Sequence, residues 1–391
     1  MSAFLPYGRQ SIDDADVAAV TAALQDPFLT QGPRVDSFER AFADYVKARH
    51  AVAFANGTGA LHAAAAAAGL APGDEVLTTP LSFVASSNCA LFVGARPVFS
   101  DIDPDTTNLD IRAAVEKGLT ERVKACIAVS LAGLPVDLEP LRPARRNGLV
   151  VIEDGCHALG GHRRGAPVGG DGAADMTTFS FHPVKALTSG EGGMVTTDDD
   201  GLADALRTFR THGIRHGRPE EDVMRGGWHY DIDTLGFNYR ITDFQCALGE
   251  HQLGRLDGFV AVRNEWAELY RELLQDVPEV LLPAPAPSGG RHAYHLFVVR
   301  FIEGAHRRRV VYDHLREAGI GTQLHYIPIP AHGLYRSLGY TMDELPNAQA
   351  YYEQALSLPL FPTMTADDVR RVGSELKRAL ELPIPQSLLS R

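Results

Sequence analysis

Two periodicities alternate along the chain. Short apolar runs bounded by turn residues predict strands, and apolar residues three and four apart predict helices. An irregular arm, residues 1–35, holds one short helical pattern from Asp13 to Leu24. Asp36 to His50 is amphipathic, with Phe38, Phe42, Tyr45 and Val46 on one helical face. Ala51 to Ala55 then predicts a strand, Asn56-Gly57-Thr58-Gly59 a tight turn, and the alanine-rich stretch after it a helix. The alternation continues through strand Glu75 to Thr79, helix Phe83 to Val93 and strand Pro97 to Ser100. A helix after Asp110, strand Val123 to Ser130, a helix after Val136 and strand Leu149 to Glu153 follow. Apolar strands spaced by helices predict an α/β fold with a doubly wound, mostly parallel sheet.

Met176 to Phe181 and Met194 to Thr197 predict two more core strands. Leu202 to Thr211 and Asp243 to Asp257 read as helices, and Val260 to Leu274 as a helix bridging to a second unit. Pro278 to Gly290 carries four prolines and two glycines, a linker signal. Strand Tyr294 to Phe301, helix His306 to Ala318, strand Gly321 to Tyr326 and helix Asp367 to Leu380 form a smaller α/β unit. The expected division is a large domain, 1–258 including the arm, and a small C-terminal domain, 259–391.

Composition narrows the classes of partner. The net charge of −12 over 391 residues, with no basic run, argues against a nucleic-acid or membrane-surface partner. Cys89, Cys126, Cys156 and Cys246 are scattered without metal-like spacing, which suggests free thiols and a cytoplasmic setting. Met1 to Gln10 has no signal-peptide pattern. Ala60 to Leu70 is too short to span a bilayer and carries His62. His292 and His295 lie three apart on a strand pattern and so face opposite sides, and no metal site is expected.

The candidate chemistry centres on Phe179 to Gly193, which places Lys185 on a glycine-rich loop between two core strands. Desolvation there favours a neutral, nucleophilic amine, and pyridoxal phosphate (PLP) is the commonest aldehyde that such an amine holds. The alternative is a lysine whose stem packs while its head reaches water. Asn56 to Gly59 leads into a helix N-terminus, either an anion site or a capped turn. Asp154 ends a buried strand at the sheet edge where ligands bind, as a partner for a pyridine nitrogen or as a structural acid. His157 reads as a cofactor contact or a core histidine. Phe83 reads as a ring stack or core, and Ser180 as a hydroxyl for a phosphate.

Several blocks occur in order: Asn-Gly-Thr-Gly, Pro-Leu-Ser-Phe-Val-Ala-Ser, Glu-Asp-Gly-Cys-His-Ala-Leu-Gly, Phe-Ser-Phe-His-Pro-Val-Lys, Gly-Glu-Gly-Gly and Gly-Phe-Asn-Tyr-Arg-Ile-Thr-Asp-Phe-Gln. Together they resemble the DegT-type sugar aminotransferases, PLP enzymes of the aspartate aminotransferase fold. The resemblance runs from Leu29-Thr30-Gln31-Gly32-Pro33 to Ser357-Leu358-Pro359-Leu360. His-Pro-Val-Lys, Arg210 to Ile214 and Leu324 to Pro328 look most like the pseudaminic-acid branch, whose enzyme aminates the C4 ketone of a UDP-linked 4-keto-6-deoxy-N-acetylhexosamine.

That resemblance implies that Lys185 forms the Schiff base, Asp154 partners the pyridinium, Phe83 stacks on the ring and His157 contacts the cofactor. Gly57, Thr58 and Ser180 would hold the phosphate, with Asn238 reaching it across a homodimer. Tyr7, Phe28, Thr30, His325 and Tyr326 match positions near the nucleotide sugar. L-Glutamate is the implied donor, with ping-pong exchange between PLP and pyridoxamine phosphate (PMP). Three alternatives stay open: another nucleotide-linked keto sugar (dTDP-linked or a C3 ketone), a PLP-dependent sugar dehydratase, and a non-catalytic PLP-binding regulator. Dehydratases of the family replace the lysine with histidine, so Lys185 argues against the second.

Overall fold

The computed structural model describes residues 4–216, 226, 228–232 and 234–389. Its main sheet has seven strands: β1 (His50–Phe54), β2 (Glu75–Thr78), β3 (Arg96–Phe99), β4 (Val123–Val129), β5 (Val150–Asp154), β6 (Met176–Ser180) and β7 (Gly193–Thr197). Their order is β1-β7-β6-β5-β4-β2-β3. The five strands from β3 to β6 run parallel, while β7 is antiparallel to both β6 and β1. The chain leaves β2 for β3 on one side and returns to β4 on the other. This reversal opens a crevice at the carboxyl ends of the strands.

Both faces of the sheet are covered. Helices α1 (Asp14–Leu24), α2 (Pro33–Val46) and α3 (Gly57–Ala67) precede or follow β1. Phe38, Phe42 and Val46 of α2 pack with Phe179 and Met194 on one face. Ala60, Ala63 and Ala64 of α3 pack with Val52, Ile152 and Val195 on the other. Met194 and Val195 are neighbours in sequence but belong to opposite cores, as the two-residue period of a strand requires. The methyl side chains of Ala60, Ala63, Ala64 and Ala65, all buried, let α3 lie close against the sheet, and that brings its N-terminus to the crevice.

The predicted helix Asp243 to Asp257 is broken. One helix ends at Leu253, and a second runs Leu256–Leu274 after Gly254 and Arg255. The second spans two cores: Leu256 and Val260 pack beneath the main sheet, Ala267, Tyr270 and Leu274 in the C-terminal cluster. There β8 (Val280–Leu281), β9 (Phe297–Phe301) and β10 (Ala355–Leu358) form an antiparallel sheet.

The expected strand Gly321 to Tyr326 does not form, and β10 takes the place beside β9. Its residues make a single bridge, Gln323 to Ser357, and a backbone bond from Gly321 N–H to Leu5 O at 2.7 Å. The reason is local: Gln323 is exposed rather than alternating into a core, and His325 and Tyr326 turn toward the crevice. Leu5 of the N-terminal arm is buried with this C-terminal core. Among the described residues, no helix is long and apolar enough to cross a membrane.

Candidate active site

The crevice holds a cavity of about 760 Å³. Ten of the residues singled out from the sequence line it together: Tyr7, Gly57, Thr58, Phe83, Asp154, His157, Ser180, Lys185, His325 and Tyr326. They come from the arm, the start of α3, the ends of β5 and β6, the β6–β7 loop and the segment before residue 327. Three others lie outside this lining. Phe28 is exposed, Thr30 bridges Thr242, and Asn238 pairs with Thr211. Their neighbours Gln31, Thr211 and Arg240 line a separate cavity of about 450 Å³.

The α3 end of the cavity is built for an anion. Asn56 caps the helix by accepting the Gly59 N–H at 2.8 Å. The first amides of any helix lack intrahelical acceptors, so those of Gly57 and Thr58 are available to a ligand at the positive end of the dipole. Gly57 packs directly on β6: a Cβ there would fall 2.8 Å from Ser180 Cβ and 3.1 Å from Ser180 Oγ. The absence of a side chain therefore brings the amides and the Ser180 hydroxyl to one place. An anionic group with a phosphate's oxygens fits this cradle.

Lys185 sits on the cavity wall. Burial pushes its ammonium below the ordinary lysine range, opposed by the nearby Cys156 and Asp154. Desolvation outweighs both neighbours, which shifts the balance toward the neutral amine. Asp154 is buried, accepts from Ser86 Oγ at 2.6 Å and from the Cys156 N–H at 3.1 Å, and shares the cavity with Lys185. Opposite stand aromatic and imidazole groups. The rings of Phe83 and Tyr326 lie 6.4 Å apart, and those of Tyr7 and His325 5.5 Å apart. His325 Nδ1 lies 2.8 Å from Ser357 Oγ. Burial, assisted by Lys185, pushes His325 down to about 3. Burial, with Lys185 and His325, also holds His157 well below its usual range. Burial raises the Tyr326 hydroxyl, helped by Asp154.

Sequence reasoning missed several lining residues: Ser82, Ser86, Cys156, Glu191, Tyr239 and His295. Ser82 and Ser86 had a signal, since four residues apart at a helix start places two hydroxyls on one side, 2.8 Å apart here. His295 had none. His292 stacks on Tyr294 with ring centroids 3.8 Å apart, while His295 faces the cavity with its ring 4.3 Å from that of His157.

The fold that carries this crevice is that of solved aminotransferases. The chain belongs to the DegT/DnrJ/EryC1/StrS aminotransferase family, whose model matches residues 10–377. It is 40% identical over 371 residues to the spore coat polysaccharide biosynthesis protein SpsC of Bacillus subtilis, covering 94% of each chain. Among solved structures it resembles Helicobacter pylori PseC, an aminotransferase involved in pseudoaminic acid biosynthesis, with a TM-score of 0.89 and 30% identity over 97% of this chain and 99% of that one. It also resembles Spr1654 of Streptococcus pneumoniae in its PMP form, with a TM-score of 0.90 and 28% identity over 96% and 99%.

Proposed function

We propose that this chain transfers an amino group from L-glutamate to the C4 ketone of a UDP-linked 4-keto-6-deoxy-N-acetylhexosamine, in a pathway of the pseudaminic acid type. The observation that carries the reading is the meeting of Lys185, Asp154 and the Gly57–Thr58–Ser180 cradle in one cavity. The His-Pro-Val-Lys and Leu-His-Tyr-Ile-Pro blocks and the likeness to PseC support the sugar. Four free thiols suit a cytoplasmic enzyme.

Pyridoxal phosphate, when bound, supplies an aldehyde carbon that carries the amino group and a ring that accepts electrons as a proton leaves the substrate. Lys185 Nζ would hold that carbon and then move the α-proton of the amino donor, a task suited to an amine whose proton burial loosens. Asp154 would keep a proton on the ring nitrogen, and Phe83 would cover the ring face. The amides of Gly57 and Thr58 and the Ser180 hydroxyl would bind the phosphate. Asn238 of the partner subunit would complete that cradle in a homodimer. His157 would contact the cofactor through its ring, with Tyr7, His325 and Tyr326 toward the sugar. Phe28 and Thr30, outside this cavity, would reach the sugar from the dimer interface.

The test is to incubate the enzyme with L-glutamate and a panel of UDP- and dTDP-linked keto sugars, and to read by mass spectrometry which sugar gains an amine. Amination of the UDP-linked 4-keto sugar supports the proposal. Amination of a dTDP sugar or a C3 ketone alone would replace the substrate, and no amination of any would remove the sugar assignment.

A further inference from the structure

A chain of hydrogen bonds runs one way through the cavity wall. The Ala132 backbone N–H donates to His157 Nδ1 at 3.3 Å. A backbone N–H only donates, so Nδ1 is the bare nitrogen and the neutral ring carries its proton on Nε2. His157 Nε2 lies 3.3 Å from Tyr326 Oη and therefore donates to it. The tyrosine oxygen is thus an acceptor toward His157, and its own O–H is left for another partner. Tyr326 lines the cavity, so that O–H is open to a bound ligand.

The backbone is bent to set up the chain. Ala132 has φ 56° and ψ −2°, in the left-handed region, which costs a residue with a Cβ about 1–2 kcal/mol. Gly133 follows at φ 102°, where a Cβ would come within 2.8 Å of Tyr294 N and 2.9 Å of His157 O. The loop is wedged between the segments bearing His157 and His295. Arg263, fully buried, fixes the second of these by donating to Tyr294 O and His295 O, each at 3.3 Å. Phenylalanine would fill the volume of Tyr326 without any of this.

We infer that Tyr326 donates a hydrogen bond to the carbonyl oxygen of the amino acceptor and polarises it, and that His157 is a positioning residue that aims this O–H. The inference rests on the transaminase reading of the cavity. A ketone oxygen accepts hydrogen bonds and cannot donate them, so a site that takes in a ketone gains from a donor fixed in advance. The donor amino acid's carboxylate is the competing acceptor, and the two are separable by experiment.

With the full-length holoenzyme, single-turnover absorbance follows the two half-reactions separately, one with L-glutamate and one with the UDP-linked 4-keto sugar, or with whichever panel member is aminated. Tyr326→Phe is expected to slow the ketone half-reaction by about 10²-fold and to leave the glutamate half-reaction within a few-fold. A second readout needs no turnover. Cofactor-free protein is given the same sugar labelled with ¹³C at its carbonyl, and the resonance is compared with that of the free sugar. Wild type is expected to shift it downfield, Tyr326→Phe to abolish the shift, and His157→Ala to reduce it. His157→Gln, whose amide can accept from Ala132 and donate to Tyr326, is expected to retain it. An unchanged resonance and an unchanged ketone half-reaction in Tyr326→Phe would overturn the inference. Slowing of the glutamate half-reaction instead would assign the O–H to the donor's carboxylate and overturn it equally. A wild-type enzyme that aminates no sugar would count against the proposed function, while the ¹³C shift would still decide the bond.

Discussion

Ser86 Oγ lies 2.6 Å from Asp154 Oδ2, a buried contact in the cavity wall. Ser82 Oγ stands 2.8 Å behind Ser86 Oγ, and the Cys156 N–H holds the other carboxylate oxygen. The carboxylate is therefore aimed by two donors from different elements before any ligand arrives. Hydrogen bonds to charged groups contribute about 1.5–3 kcal/mol. Ser86→Ala is expected to weaken cofactor binding or turnover by about 10- to 100-fold, and equilibrium dialysis with PLP together with kcat measurements would read the loss. Unchanged values would show that Ser86 does not orient Asp154.

Gly57 tests the anion cradle. An alanine Cβ would lie 2.8 Å from Ser180 Cβ, in a buried contact with no flexible chain end to give way. Gly57→Ala is expected to cost about 1–3 kcal/mol of stability and to weaken PLP affinity by pushing α3 from β6. Urea denaturation and PLP titration measure the two effects. Tight PLP binding in this variant would place the phosphate elsewhere.

The acid limb of stability follows from the buried histidines. Burial holds His292, assisted by Arg271, and His325, assisted by Lys185, down to about 3, against an ordinary value of 6.5. Between those values the unfolded chain binds protons that the folded chain refuses, so stability is lost as the pH falls from about 6.5 toward 3. Each such histidine adds a slope of about 1.4 kcal/mol per pH unit in that window. Denaturant titrations at steps from pH 7 to pH 4 should show the decline. In His292→Asn, whose side chain can still accept the Tyr294 N–H, the slope should be shallower by up to one proton. An identical slope would mean that His292 titrates normally in the folded protein.

Asn238 is exposed, and its neighbours Phe237 and Tyr239 stack 5.2 Å apart against the aromatic group around His62. That anchoring holds Asn238 outward, as a residue serving a second subunit requires. If Asn238 completes the partner's cradle, inactive Lys185→Ala and weakened Asn238→Ala chains should regain activity when mixed and reassembled. Each hybrid dimer then has one site with both residues intact. Absence of complementation in dimers shown to exchange would confine Asn238 to its own subunit.

Much of this was readable without coordinates, and for a physical reason. Core strands such as Val150–Asp154 and Met176–Ser180 are buried on both faces and short, so their limits and the polar residues at their ends stand out. Asp154 and Ser180 sit at such ends, and Gly57 and Lys185 a few residues beyond them. What escaped depended on tertiary placement. Gly321 to Tyr326 has the composition of a strand, yet its backbone partner is the N-terminal arm and its side chains serve the cavity. The break after Leu253 falls in a stretch whose helical periodicity continues almost without a gap. His295 enters the cavity because Arg263, some thirty residues away in sequence, holds its backbone.

The central claim is that Lys185 is the residue that carries the cofactor. Treating PLP-loaded protein with borohydride, digesting it and sequencing the modified peptide by mass spectrometry tests this directly. The account predicts a phosphopyridoxyl group on Lys185, absent from Lys185→Ala and absent when L-glutamate is added before reduction. A label on another lysine, or equal labelling in Lys185→Ala, would contradict it.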